Sequence, residues 1–100
     1  MSESFGLSRV SIDKIKSVFA THPLIEKVLV YGSRAKGNFR PNSDIDLTVI
    51  APKMSLTEIL KIENEIDDLL LPYKVDLSLF HKIDNKSLID HIQRVGKEFV

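Results

Sequence analysis

The stretch VLVYGSRAKGNFRPNSDIDLTVI, residues Val28–Ile50, decides the fold because it joins two strand patterns through a polar, turn-rich loop. Val28–Tyr31 is a short run of β-branched, apolar and aromatic residues that ends at Gly32-Ser33, which predicts a buried strand. Asp44–Ile50 alternates polar and apolar residues, which predicts a second strand with both aspartates on one face. The loop between them, residues 33–43, has room for one short helix at its start.

Patterns on the two sides of this stretch continue an alternating order of helices and strands. A helical stripe begins at Ser11, the expected N-cap, and stops before Pro23. The spacing in Ser55-Leu56-Thr57-Glu58 is that of a capping box, which predicts a second long helix that Pro72 ends. Lys74–Phe80 alternates again and is interpreted as a third strand.

The C-terminal part predicts one more helix, from about Ser87 to Val95, followed by Gly96 as its C′ residue. Lys97–Val100 is either a frayed tail or a short edge strand. The resulting order, α-β-α-β-α-β-α, predicts one α+β or α/β domain over residues 1–100 in which helices cover a small mixed β-sheet.

The composition excludes several classes of protein. A content of 43% hydrophobic and 28% charged residues is typical of a globular domain. Lys plus Arg and Asp plus Glu both total 14, so stable nucleic-acid binding is not expected. Without cysteine there is no disulfide, zinc-thiolate site or thiol nucleophile. No apolar stretch is long enough to predict a membrane span, and we expect a cytoplasmic protein.

Three aspartates have the pattern of a cation site. Asp44 and Asp46 are two residues apart on a strand, so their carboxylates project from one face, and Asp76 is the outward residue of the next strand. Like charges this close favour a cation between them, and oxygen ligands suit Mg²⁺ or Mn²⁺. Two plainer interpretations stay open: a solvated turn for the first two aspartates, and a salt bridge from Asp76 to Lys74 or Lys82.

The Gly32-Ser33 pair follows a strand and precedes the expected short helix. Glycine allows the backbone to approach a ligand closely, and the free N–H groups of a helix start favour an anion such as phosphate. We expect at least one of Arg34, Lys36 and Arg40 to contact phosphate, with a solvated basic loop as the alternative. No role is assigned to the three widely spaced histidines, His22, His81 and His91.

The combination of Gly32-Ser33, ten intervening residues and Asp44-Ile45-Asp46 resembles the signature of the DNA polymerase β-type nucleotidyltransferases, and specifically of the minimal nucleotidyltransferases (MNT). Asp76 occupies the place of that family's third acid, on a later strand. The resemblance extends from about Val28 to Phe80 and implies the polymerase β-type nucleotidyltransferase fold.

The resemblance also implies roles for these residues. The catalytic acids, which would together hold two Mg²⁺ ions (or Mn²⁺), would be Asp44, Asp46 and Asp76. Asp76 would in addition help to deprotonate the attacking hydroxyl. Gly32 and Ser33 would bind the triphosphate of the incoming nucleotide. Arg34 and Lys36 are added as nucleotide-binding residues because basic side chains in the same loop suit phosphate oxygens. The reaction would be in-line transfer of a nucleoside monophosphate to a hydroxyl, with pyrophosphate leaving.

A partner follows from the same resemblance, because larger members of the superfamily add a helical domain that no segment of this sequence matches. Minimal nucleotidyltransferases are commonly paired with an all-helical HEPN protein, and the MNT component acts as the antitoxin. The expected activity is therefore transfer of AMP from ATP to a tyrosine of a HEPN partner. The alternatives are an antitoxin that neutralises its partner by occlusion alone, and a nucleotidyltransferase acting on a small molecule such as an aminoglycoside.

Overall fold

The computed structural model describes residues 3–40 and 43–99 and has a mixed sheet with helices on it. In chain order the elements are β1 (Glu3–Ser4), β2 (Leu7–Ser8), α1 (Arg9–Ala20), β3 (Lys27–Tyr31), α2 (Ser33–Lys36), β4 (Ile45–Ile50), α3 (Leu56–Asp67), β5 (Val75–Leu79), a 3₁₀ turn (Phe80–Lys82), α4 (Lys86–Val95) and β6 (Lys97–Glu98). The predicted order of helices and strands is confirmed, and β6 is the short edge strand that was one of the two alternatives for the C-terminal tail. The structure adds a β1–β2 hairpin before α1 and the 3₁₀ turn after β5.

The main sheet has four strands in the order β5-β4-β3-β6. β3 pairs antiparallel with both β4 and β6, whereas β4 and β5 run parallel. The parallel pair needs a crossover, which α3 supplies. A small mixed sheet was predicted and is confirmed. The tail after Gly96 forms an edge strand through Lys97 and Glu98, and its last residue, Val100, lies outside the described part of the chain.

The hydrophobic core occupies one face of this sheet. Val28, Val30, Ile45, Leu47 and Val49 have no exposed surface, and they alternate with the residues of the opposite face. The apolar residues that α1 and α3 add to the same cluster are Ile15, Phe19, Ile59, Ile62 and Ile66. Because side chains alternate along a strand, burial of this set places Asp46 of β4 on the other face of the sheet.

The ends of the helices correct three expectations. The N-cap of α1 is Ser8, whose hydroxyl accepts the backbone N–H of Ser11 at 3.2 Å, while Ser11 is itself buried in the first turn. The predicted capping box of Ser55 and Glu58 is present, but α3 ends at Asp67, five residues before Pro72. Gly96 is the C-cap of α4 in an extended conformation (φ −60°) rather than a left-handed C′ residue.

Helix α4 contacts β3. One face of this helix is buried or half-buried and consists of Leu88, His91, Ile92 and Val95. The opposite face, with Asp90, Gln93 and Arg94, is exposed. Within the described residues, no helix is both long enough and apolar enough to cross a membrane.

Candidate active site

The register of three strands places the predicted acids side by side. Asp46 of β4 lies opposite Tyr31 of β3 on one side and opposite Asp76 of β5 on the other. Directly opposite residues in neighbouring strands have their side chains about 5 Å apart on the same face. Asp44 is exposed and directly precedes β4, two residues before Asp46. The structure therefore brings all three aspartates to one end of the sheet.

Asp46 is the electrostatic centre of this group. Burial raises the pKa of its carboxyl above the ordinary value, and the charges of Asp76 and Asp44 raise it further. Asp76 is exposed, and within residues 3–40 and 43–99 it makes no ion pair, with Lys74, Lys82 or any other base. The salt-bridge interpretation of Asp76 is therefore not supported by the structure.

The donor set at this end of the sheet suits a divalent cation that is shared with a substrate. No group of three His, Cys, Asp or Glu side chains in the described residues forms a ready protein cage for a metal. Mg²⁺, however, is usually held by one or two carboxylates together with substrate phosphates and water. The neighbouring carboxylates of Asp46 and Asp76 fit that mode of binding, and burial together with the Asp76 charge raises the pKa of Asp46.

Gly32 brings the main chain against Asp46. Its φ of 75° and ψ of −153° belong to a region that only glycine occupies readily, and a Cβ atom there would lie 2.5 Å from an Asp46 carboxylate oxygen. Gly32 is the N-cap of α2, and its carbonyl accepts the N–H of Lys36 at 3.1 Å. The predicted Gly-Ser turn and short helix are both present, and they adjoin the acids.

His91 lies at this site although the sequence analysis gave it no role. Its Nε2 accepts the backbone N–H of Gly32 at 3.2 Å, and its ring meets the Tyr31 ring edge-on, with centroids 6.2 Å apart. In the described structure the Gly32 N–H is therefore already bonded, and phosphate binding by Gly32 and Ser33 stays a prediction. The signal for His91 was its position on the apolar stripe of α4, three residues after Leu88 and four before Val95.

Tyr31 is a second residue of the site, although its sequence pattern predicted only the end of a buried strand. It is buried, with its pKa raised by burial and by the charges of Asp46 and Asp76, while a hydrogen bond with Ser78 acts in the opposite direction. Ser78 lies two residues after Asp76 on β5. Tyr31 is therefore a buried neighbour of Asp46 and Asp76.

Arg34 is placed differently from a phosphate ligand. It is 2% exposed, and its guanidinium donates to the carbonyl of Phe5 at 2.7 Å and to the carbonyl of Ser43 at 2.9 and 3.3 Å. The rings of Phe39 and Tyr73 lie 4.9 and 5.1 Å from it. These contacts tie the β1–β2 turn to the residue before Asp44, which is a supporting role. Nucleotide binding by Arg34 stays a prediction.

The other two basic residues of the loop are accessible. Lys36, the last residue of α2, and Arg40 are both exposed, so either side chain can meet an anion in solution. The backbone N–H of Arg40 donates to the Ser43 hydroxyl at 2.8 Å, which helps to shape the loop before Asp44. Pro41 and Asn42 of the same loop lie outside the described residues.

Asp46→Asn is expected to raise the melting temperature of the metal-free protein at pH 7. The folded protein holds the Asp46 proton more tightly than the unfolded chain does, because the pKa is raised on folding. Stability from this group therefore falls as pH rises from about 4 upward, and the asparagine variant lacks that loss. Thermal unfolding in EDTA from pH 4 to pH 8 measures the difference. A variant that is no more stable than wild type at pH 7 would contradict the raised pKa of the Asp46 carboxyl in the folded protein.

Comparisons with known proteins agree with the fold described above. The family model described as "Polymerase beta, Nucleotidyltransferase" matches residues 13–100. No curated protein matches the chain. Among solved structures, a toxin–antitoxin with AMP-PNP is similar over 89% of this chain and 72% of that chain, at 22% identity and a TM-score of 0.73.

Two further structures have the same fold. The toxin–antitoxin MntA–HepT is 19% identical and covers 93% of this chain and 72% of that chain, with a TM-score of 0.69. A tri-AMPylated HEPN toxin of Shewanella oneidensis in complex with its MNT antitoxin is 18% identical, covers 92% and 71%, and has a TM-score of 0.68. These likenesses show the fold, and because the family match spans residues 13–100 this chain belongs to the polymerase β nucleotidyltransferase family.

Proposed function

We propose that this protein is a Mg²⁺-dependent nucleotidyltransferase that moves AMP from ATP to a tyrosine hydroxyl of a HEPN-type helical partner, and that it acts as that partner's antitoxin in the cytoplasm. The observation that carries the proposal is the pairing of Asp46 with Asp76 across β4 and β5, beside the Gly32 turn. Family membership supports the transfer reaction, and the likeness to toxin–antitoxin structures supports the choice of partner.

Asp44, Asp46 and Asp76 are the residues that would hold divalent cations. When bound, such ions neutralise phosphate charge and orient the phosphates for displacement. Oxygen ligands of this kind suit Mg²⁺, and also Mn²⁺.

In this proposal, residues of the chain itself position the triphosphate and accept the proton of the attacking hydroxyl. The turn at Gly32 and Ser33 would receive the triphosphate, because it lies directly beside Asp46, with a Cβ at Gly32 placed only 2.5 Å from the Asp46 carboxylate oxygen. Asp76 is exposed and unpaired among the described residues, so its carboxylate can take the proton from an incoming hydroxyl. A bond then forms between the acceptor oxygen and the α-phosphorus, and the bond from that phosphorus to the pyrophosphate oxygen breaks.

A label-transfer experiment tests the proposal. The protein is mixed with a folded HEPN-type partner, Mg²⁺ and ATP labelled on the α-phosphate, and parallel samples carry the label on the γ-phosphate. We expect α-label on the partner, γ-label only in pyrophosphate, and loss of transfer when the accepting tyrosine is replaced by phenylalanine. Absence of label with both proteins folded would contradict the proposal, and label on an aminoglycoside instead would transfer the activity to small molecules.

A further inference from the structure

A histidine from the last helix is bonded to the main chain of the Gly32 turn. The N–H of Gly32 donates to His91 Nε2 at 3.2 Å, across 59 residues of sequence. Nε2 is the acceptor in this contact and carries the lone pair, so the ring N–H of this tautomer is on Nδ1. This contact joins α4 to the loop that begins α2.

The imidazole ring is held in place by its surroundings. His91 is half-buried on the inward stripe of α4, and the Tyr31 ring packs edge-on against it at an interplanar angle of 80°. Tyr31 is the residue immediately before Gly32 and lies opposite Asp46 in the sheet. The histidine therefore contacts the turn both through a ring and through a hydrogen bond.

The Gly32 turn needs such a restraint. Glycine loses more backbone freedom on ordering than any other residue, and here it adopts a φ of 75° at a position where a Cβ would lie 2.5 Å from an Asp46 carboxylate oxygen. The other bond that fixes this residue is the α2 bond from Lys36 to its carbonyl. Its amide is oriented by His91.

We propose that His91 is a positioning residue for nucleotide transfer, which holds the Gly32–Ser33 turn in its nucleotide-binding shape next to Asp46. The inference rests on the proposed function, since it assigns the turn to the triphosphate. It leaves the Ser33 hydroxyl and the exposed Lys36 as the polar groups of this segment that can meet phosphate.

The test compares two substitutions by nucleotide binding and turnover. His91→Leu removes the acceptor and keeps an apolar side chain against Tyr31, while His91→Gln keeps an acceptor at a similar reach. We expect His91→Leu to weaken binding of Mg²⁺·ATP about tenfold, the effect of one hydrogen bond, with the loss mainly in KM. His91→Gln is expected to recover binding to within about threefold of wild type. Leu88→Ala, one turn earlier on the same helix face, is the matched control and should leave ATP affinity unchanged.

Nuclear magnetic resonance of the unmodified protein tests the contact without a substitution. A scalar coupling between the Gly32 amide nitrogen and His91 Nε2 is expected across the N–H···N bond, so the inference stays testable even if His91→Leu does not fold. Absence of that coupling, or ATP binding to His91→Leu that equals or exceeds wild type, overturns the role of His91. If wild type itself neither binds ATP nor transfers AMP, the proposed function fails instead.

Discussion

Replacement of Asp44 and Asp46 together by asparagine is expected to lower nucleotide transfer by about a thousandfold or more while the protein stays folded. Asparagine has nearly the size of aspartate, and Asp44 is exposed, so the fold has little to lose. The variant removes two of the three carboxylates at this end of the sheet, and with them the charge that attracts a divalent cation. Label transfer from ATP measures the loss, and circular dichroism checks the fold.

The same variant separates catalysis from occlusion as the means of neutralising a partner. If neutralisation disappears while the two proteins still form a complex, transfer is the mechanism. Full neutralisation by the variant would instead show that binding alone suffices. Asp13→Asn/Asp68→Asn is a matched control, because it removes two exposed aspartates from α1 and from the end of α3, on the side of the sheet opposite the acids.

Arg34→Met is expected to lower the free energy of unfolding by about 2–4 kcal/mol, because it leaves the carbonyls of Phe5 and Ser43 without the donors that now satisfy them. For a domain of this size that loss corresponds to a fall in melting temperature of about 10–25 °C. The variant also removes the cation from between the rings of Phe39 and Tyr73. Calorimetry and urea unfolding give the two quantities.

Arg40→Met is the matched control for Arg34, since it removes an exposed arginine from the same loop and should change stability by no more than about 0.5 kcal/mol. Arg34→Lys keeps the charge but not the fork of donors, and it should recover only part of the loss. If Arg34→Met instead unfolds like wild type and only ATP affinity falls, the arginine is a phosphate ligand and its supporting role is wrong.

The sequence was sufficient to predict which side chains share a face of the sheet. Alternation has a period of two in any strand, so burial of Ile45 and Leu47 determines where Asp44 and Asp46 point before pairing is known. The position of Asp76 relative to Asp46 needed more, because it depends on how many residues the α3 crossover uses before β5 begins. The register between β4 and β5 therefore cannot be derived from the local pattern of either strand.

The contacts of Arg34 and His91 could not be predicted from the sequence alone. Arg34 stands in a loop with two other basic residues and looks solvated, and its burial depends on carbonyls and rings that come from three separate segments. His91 has no nearby partner in the sequence, since its hydrogen bond spans 59 residues. The prediction of Ser11 as the N-cap of α1 was wrong for a local reason. Serine is a favourable N-cap residue at either position, and the β1–β2 hairpin, whose second strand ends at Ser8, places the start of the helix directly after Ser8.

The position of β5 at the rim of the sheet has a thermodynamic consequence. This strand has a single paired neighbour, so detaching it exposes less apolar surface than melting the whole domain. Asp76 departs with it, while Asp46 stays on the interior strand β4 and Asp44 directly before that strand. On warming, nucleotide transfer is therefore expected to be lost through this partial opening several degrees below the melting temperature of the whole domain. A partner that covers β5 would bring these two temperatures together.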